Sequence, residues 1–433
     1  MVGGNRWLRH VVAPIAAGAA ETRERGGRGI AVRVAMRCVA RIVRVHVALI
    51  TVAGCGLAPS NDGSGAGGKA DDPGGDHPPG CSVACDLDET ILVAGSEESG
   101  RLAIERLGSE PGHIDLDVET GGFFVDGTSR DGLFYALFSD GVLATIDGNQ
   151  GTVVSEVTIE GGAPFALEAR SPAELYVSFA ASAVIARIDP ASGEVLADID
   201  IAPDGVADVA ARHMLLVGDQ LYVAASLGTR LAPRGTHLAV VDVVSGAVVR
   251  RADLVWQDPD SGTRRPALNP DLPLVLDEPR HRLFVGAKGK RPSDTGMTLK
   301  VDLESLAVDS DPSDLSGTFN GHQVISQPFE RVVALEHTST PVASTHVALR
   351  SIEPDGRVVP HDSPTVLDLF EETDGLSING DGTVAMLANS CPAGFCISGI
   401  GVNFIDVENA AVLPKLTRDR IGFSPVDSVF LRD

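Results

Sequence analysis

Catalytic signatures are almost wholly missing from this chain. It holds no GxSxG elbow, no HExxH pair, no GxGxxG after a strand pattern and no CxxCH haem-attachment site. Elbow-type hydrolysis, zincin chemistry, dinucleotide binding on a Gly-rich turn and c-type haem are therefore not indicated. Basic residues are scarce as well: 35 Lys and Arg stand against 59 Asp and Glu, a net charge of −24. The first 54 residues hold nine Arg and two Glu, so the remainder carries 26 basic and 57 acidic residues, a net −31. A field of that sign repels nucleic acid and anionic headgroups; it favours cations, basic partners or simple solubility. A membrane-spanning apolar run is not found either. Val45 to Gly54 is apolar except for His46 and Thr51, but it is only ten residues long. At about 1.5 Å per residue it cannot cross a hydrocarbon core of about 30 Å.

What that stretch does resemble is an export signal. Arg37, Arg41 and Arg44 precede it and small residues end it, the pattern of a secretory leader. Val52-Ala53-Gly54-Cys55 resembles the lipobox of bacterial lipoproteins, which usually opens with Leu. The resemblance implies cleavage before Cys55 and lipidation of its sulfur and new amino group. Several acyl chains would anchor the protein to a membrane, since one alone binds marginally. Gly56, rather than Asp, follows Cys55, which implies sorting to the outer membrane, on its periplasmic or surface face, within a bacterial cell envelope. Residues 36–54 are then the lipoprotein signal peptide. Residues 1–35, Arg-rich and followed by Met36, read as an extension upstream of the true start, with an organelle transit peptide as the competing reading.

Residues 55–80 carry no large apolar side chain after Leu57 and are rich in Gly, Asp and Pro, so they read as a flexible tether. Gly63 to Lys69 fits the GxxxxGK part of a phosphate-binding loop, but Ala70 replaces the required Ser or Thr and Asp71-Asp72-Pro73 oppose the helix. Composition alone explains it.

Residues 81–433 repeat. Ile188-Asp189-Pro190-Ala191-Ser192-Gly193 matches Val241-Asp242-Val243-Val244-Ser245-Gly246, and the same hydrophobe-plus-acid pair recurs at Ile146-Asp147, Val301-Asp302 and Ile405-Asp406. Weaker versions are Ile104-Glu105 and Ile352-Glu353; the seven acids are spaced by 42, 42, 53, 60, 51 and 53 residues. An apolar run precedes each: ILVAGS from Ile91, LFYALF from Leu133, LYVSFA from Leu175, LYVAAS from Leu221, LFVGAK from Leu283, VVALEH from Val332 and VAMLAN from Val384. Such runs suit strands buried on both faces. Seven strand-rich units of this length predict an all-β, seven-bladed β-propeller of four-stranded antiparallel blades, eight blades being the alternative. The apolar runs are then strands B and the acid-bearing strands are C. Ser428 to Leu431 is strand material that should close the ring on the first blade, either as its inner strand or beside one supplied by Cys81 to Asp86.

LYVA followed by I-D-x-x-(S/T)-G resembles the YVTN-type propellers, over most of residues 81–433. That resemblance implies an extracellular binding protein or a lactonase or dehydrogenase relative, and is specific for fold rather than activity. With only Trp7 and Trp256, the tryptophan docking pattern of quinoprotein propellers is absent. The longest B–C segments, Leu227 to Thr236, Lys288 to Gly296, Thr338 to Thr345 and Ser390 to Ile400, fall in blades four to seven, as does the D–A segment Trp256 to Pro273. These should share the top face, which becomes the expected binding surface.

Cys81, Cys85, Cys391 and Cys396 remain after Cys38 leaves with the signal and Cys55 takes lipid. Two local disulfides, Cys81 to Cys85 and Cys391 to Cys396, fit an exported chain, and a four-thiolate zinc site fits the spacing less well. His213 and His322 are expected to begin inner strands, with Asp271, Asn320 and Asp374 preceding equivalent ones. Together they would ring the channel mouth, where calcium-dependent propeller lactonases place acid, Asn and His ligands; this implies Ca²⁺ as the candidate cofactor. Two functions follow: a lipid-anchored module binding a protein or polysaccharide through its top-face loops, or a divalent-cation-dependent, lactonase-like hydrolase at the channel mouth.

Overall fold

The computed structural model describes residues 87–432, apart from 88, 96–100, 109–110, 230–231, 258–262, 269, 271, 288–296, 310–318, 339–343, 356, 370–374, 390–400 and 422–424. These residues all lie in one compact unit, His77–Asp433. Cys55, Cys81, Cys85, Cys391 and Cys396 lie outside the described residues.

Seven antiparallel sheets succeed one another along the chain. The first holds β1 (Thr90–Gly95), β2 (Arg101–Arg106) and β3 (Gly112–Asp117). The second holds β4 (Phe124–Arg130), β5 (Leu133–Phe138), β6 (Val142–Asp147) and β7 (Thr152–Thr158). The third holds β8 (Pro164–Ser171), β9 (Glu174–Phe179), β10 (Val184–Ile188) and β11 (Val195–Asp200). The fourth runs through β12 (Val209–Val217), β13 (Gln220–Thr229), β14 (Ala232–Asp242), β15 (Ala247–Gln257) and a short fifth strand, β16 (Arg264–Pro266). The fifth shows β17 (Leu274–Asp277), β18 (Arg282–Ala287) and β19 (Met297–Asp302), with one further bridge, Val301 to Val308. The sixth holds β20 (Phe319–Ser326), β21 (Arg331–Thr338), β22 (Ser344–Ile352) and β23 (Val358–Leu369). The seventh holds β24 (Gly375–Ile378), β25 (Val384–Asn389), β26 (Gly401–Asp406) and β27 (Ala411–Thr417), followed by a helical turn, α1 (Arg418–Ile421), and β28 (Pro425–Phe430).

β28 does not join the seventh sheet. It pairs antiparallel with β1, Ile91 opposite Phe430 and Val93 opposite Ser428, giving the order β28-β1-β2-β3. The last strand of the chain is therefore the inner strand of the first blade, and the seven-bladed propeller is closed by it.

The apolar runs explain the packing. In β5, Phe134, Ala136 and Phe138 face the first blade while Tyr135 and Leu137 face the third. Each alternate face thus serves a different seam, and seven buried clusters fill the seven seams. A strand buried on both sides must be apolar throughout, which is why these segments show no alternation.

The repeated acids hold turns. Asp147 accepts from the amides of Asn149 and Gln150 at 2.9 and 2.8 Å, Asp242 and Asp302 each from a Ser amide at 2.7 Å, and Asp406 from Asn409 at 2.9 Å. These are Asx-type caps of the C–D turns. In the sixth blade the cap is Asp355, bonded to the Arg357 amide at 3.0 Å, rather than Glu353. Glu105 instead is fully buried and binds His113 and Arg420.

Candidate functional site

Each inner strand (β28, β4, β8, β12, β17, β20 and β24) ends its sheet, so its channel-side edge has no strand partner. Unpaired edge amides and carbonyls must be satisfied, and side chains of neighbouring blades satisfy several of them. Asp126 on β4 accepts from the Leu167 amide of β8 at 2.7 Å, and Glu168 on β8 accepts from the Leu216 amide of β12 at 3.2 Å. The Ser129 hydroxyl donates to the Phe430 carbonyl at 2.5 Å, and the Ser377 hydroxyl to the Ser428 carbonyl at 3.1 Å. The inner ring is stitched blade to blade by polar groups.

Together these strands enclose a central channel of about 870 Å³, lined by Asp126, Glu168 and Asp427 among others. Burial pushes the Asp126 carboxyl up to about 8, and the neighbouring Asp427 charge adds to this against the Leu167 hydrogen bond. Burial likewise pushes Glu168 up to about 7, opposed by the Leu216 amide and by the charges of Arg432 and Arg130. Two carboxyls of the channel lining, Asp126 and Glu168, are thus raised by burial, which disfavours their charged forms.

The upper ends of five of the seven inner strands share a second feature. Pairing shifts register at Val125 in β4, Phe165 in β8, Arg212-His213 in β12, residues 320–322 in β20 and residue 426 in β28. A bulge inserts extra residues and re-aims side chains. Val125, Phe165, Arg212 and His213 all line the channel. The Phe165 ring meets His213 edge-on at 5.1 Å and 67°, and the Arg212 guanidinium lies 4.7 Å from the ring centre. Phe123, at the entrance beside β4, also lines the cavity and is 68% exposed.

The sequence-derived candidates are placed differently from expectation. His213 does line the channel, but it sits in the bulge of β12, four residues after its start. His322 and Asn320 lie within β20, which begins at Phe319; neither begins nor precedes the strand. The bulge lengthens these strands upward, which the apolar pattern after each histidine could not show. Asp271 and Asp374 lie outside the described residues. Among the described residues, no group of three or more His, Cys, Asp or Glu is placed to hold a metal ion.

The expected top-face loops also change character. Leu227 to Thr236 is mostly a continuation of the β13–β14 hairpin, with Leu227 opposite Gly235, and Trp256 to Pro273 folds back as β16 against β15. Thr338 to Thr345 is flanked by β21 and β22; Lys288 to Gly296 and Ser390 to Ile400 lie outside the described residues. Sequence reasoning missed Asp126, Glu168 and Phe123. A lone acid in a polar strand, or a Phe after Gly-Gly, carries no periodic signal.

No family model matches the chain, and no curated protein matches it. Solved structures do. A protein from Bacteroides fragilis NCTC 9343 assigned as a 6-phosphogluconolactonase superposes with a TM-score of 0.52 at 11% identity, covering 80% of this chain and 99% of that one. Hydrazine synthase of Kuenenia stuttgartiensis gives 0.48 at 16% identity over 68% and 79%, and BamB of Moraxella catarrhalis 0.42 at 12% over 69% and 76%. At these identities the likeness is one of fold, and the fold it shares is the β-propeller.

Proposed function

We propose that this chain is a lipid-anchored, extracytoplasmic propeller that recognises a partner, a protein or a polysaccharide, through the top mouth of its channel. The observation that carries the reading is Phe123, a large apolar ring 68% exposed at the entrance of the channel cavity. Contiguous exposed apolar surface marks interaction sites, and Phe123 continues the cavity lining formed by Phe124, Pro164 and Phe165. The bulges that bring Phe165, Arg212 and His213 to the same mouth support it. Anchoring rests on the Val52 to Cys55 motif. In the bacterial host, Cys55→Ser should release the protein from membranes. Envelope material retained by immobilised full-length protein should be lost with Phe123→Ala/Phe165→Ala and kept with Val154→Ala on the outer strand β7. Retention by the mouth variant at the wild-type level would defeat the reading.

A further inference from the structure

We propose that the lower mouth of the channel binds a small oxyanion, a phosphate or a carboxylate, between the Arg130 and Arg432 guanidinium groups and the Oε2 atom of Glu168. This site lies at the other end of β4 from Phe123 and stands whatever the upper mouth binds. Arg130 is the last residue of β4, and Arg432 follows β28, the strand that closes the ring. The backbone brings the two together, since the Gly132 amide donates to the Arg432 carbonyl at 3.0 Å. Leu431 fixes this end further by filling the space over Gly148, where a Cβ would stand 2.5 Å from Leu431 Cδ1. Arg432 then lines the channel. Arg130 alternates onto the face of β4 that carries Asp126, toward the third blade.

Both guanidinium charges act on Glu168 of β8, yet among the described residues neither forms an ion pair with it. Arg130 meets Asp131 at 3.9 Å, beyond hydrogen-bond reach, and both side chains are half exposed. Glu168 Oε1 accepts from the Leu216 amide at 3.2 Å, and Oε2 has no hydrogen-bond partner among the described residues. Two cations thus converge on one carboxyl oxygen without closing on it. Guanidinium forks match phosphate and carboxylate oxygens, so a ligand of that class fits between them. An ionised Glu168 would repel it, whereas the acid form offers an O–H donor. Burial pushes Glu168 up to about 7, so the acid form is present at neutral pH, and a bound anion favours it further. The other charged groups facing β8 are Asp126, Asp427, Arg212 and His213 of the channel lining and Glu174 of β9, which pairs with Arg170 and Arg187. The net charge of −24 opposes anions at long range, but salt screens it beyond about 8–10 Å.

The test is calorimetric titration of the full-length protein with succinate and with sulfate, which stands in for phosphate without titrating, at about pH 6.5 and about pH 8.5. At least one should bind at the lower pH; succinate alone would assign a carboxylate ligand and sulfate alone a phosphate. Both probes stay fully ionised, so a loss of affinity at the higher pH reports the proton on the protein, and it should be about ten-fold or more. Arg130→Gln/Arg432→Gln should abolish binding without moving the thermal midpoint. Glu168→Gln should keep binding and lose its pH dependence, because the amide oxygen still accepts from Leu216 while the NH₂ donates to the anion. Binding unchanged in the double Arg variant overturns the site. A pH dependence that persists in Glu168→Gln overturns the part assigned to Glu168. Absence of binding by both anions up to about 10 mM overturns the proposal.

Discussion

Removal of the closing strand should unfold the whole ring rather than shorten it. Phe430 is 1% exposed and packs in one cluster with Ile91 and Val93 of the first blade and Met386 and Phe404 of the seventh. Its backbone pairs with Ile91, and the following Leu431 amide donates to the Thr90 carbonyl at 2.8 Å. Phe430→Ala should cost about 3–5 kcal/mol, the usual loss for a buried Phe, against a typical total of about 5–15 kcal/mol. Truncation after Arg420 removes the buried Ile421 as well and strips the partner edge from β1. That leaves a sheet edge and two apolar blade faces open, an aggregation surface. Urea denaturation followed by circular dichroism should show a lower midpoint with unchanged slope for Phe430→Ala, and soluble aggregate for the truncation. Val154→Ala, at a site 60% exposed on β7, should stay within about 0.5 kcal/mol of wild type. A truncated chain that melts like the full-length protein refutes closure.

Three further outcomes are expected. Because the Asp126 carboxyl is raised from 3.8 to about 8, the native state binds its proton more tightly than the unfolded chain does. That contribution is complete below about pH 4 and is lost as pH rises through about 8, so thermal stability should fall across this range and fall less in Asp126→Asn; equal slopes would contradict it. Arg420 reaches from α1 to the fully buried Glu105 at 3.2 Å, so Arg420→Ala should cost about 1–3 kcal/mol by removing one of that carboxyl's two partners and leaving only His113, and Glu105→Gln should recover part of the loss in a melting assay. Cys81, Cys85, Cys391 and Cys396 should resist alkylation until reduced, as expected of an exported chain; mass spectrometry showing all four alkylated without reductant would contradict export.

The blade count was legible because its signals are local and repeated. Strand B must be apolar on both faces, as it is in all seven repeats, and an Asp at the end of strand C caps the following turn in five of them, at 147, 189, 242, 302 and 406. The end strand was legible as closure because Ser428 to Leu431 is apolar where a chain without a role would fray. The inner strands were not. They face a wet channel on one edge, so β4 and β12 carry Asp126, Arg212 and His213 with no alternation to mark them. Their bulges shift each strand start by several residues, which misplaced His213, Asn320 and His322. Edge-capping carboxyls are specified by a backbone amide one blade away, some 41 residues on for Asp126 and Leu167, and no local pattern encodes that. Leu227 to Thr236 looked like an insertion because Gly228, Pro233 and Gly235 interrupt the apolar run, although hairpin pairing continues through them.

The central claim, that recognition occurs at the channel mouth, is tested most directly by site-specific photocross-linking in the cells that produce the protein. A benzophenone amino acid at position 123 should capture bound material, whereas the same group at position 154, on the exposed outer strand β7, should not. Capture from position 154 with none from position 123 would place recognition on the rim and contradict the account.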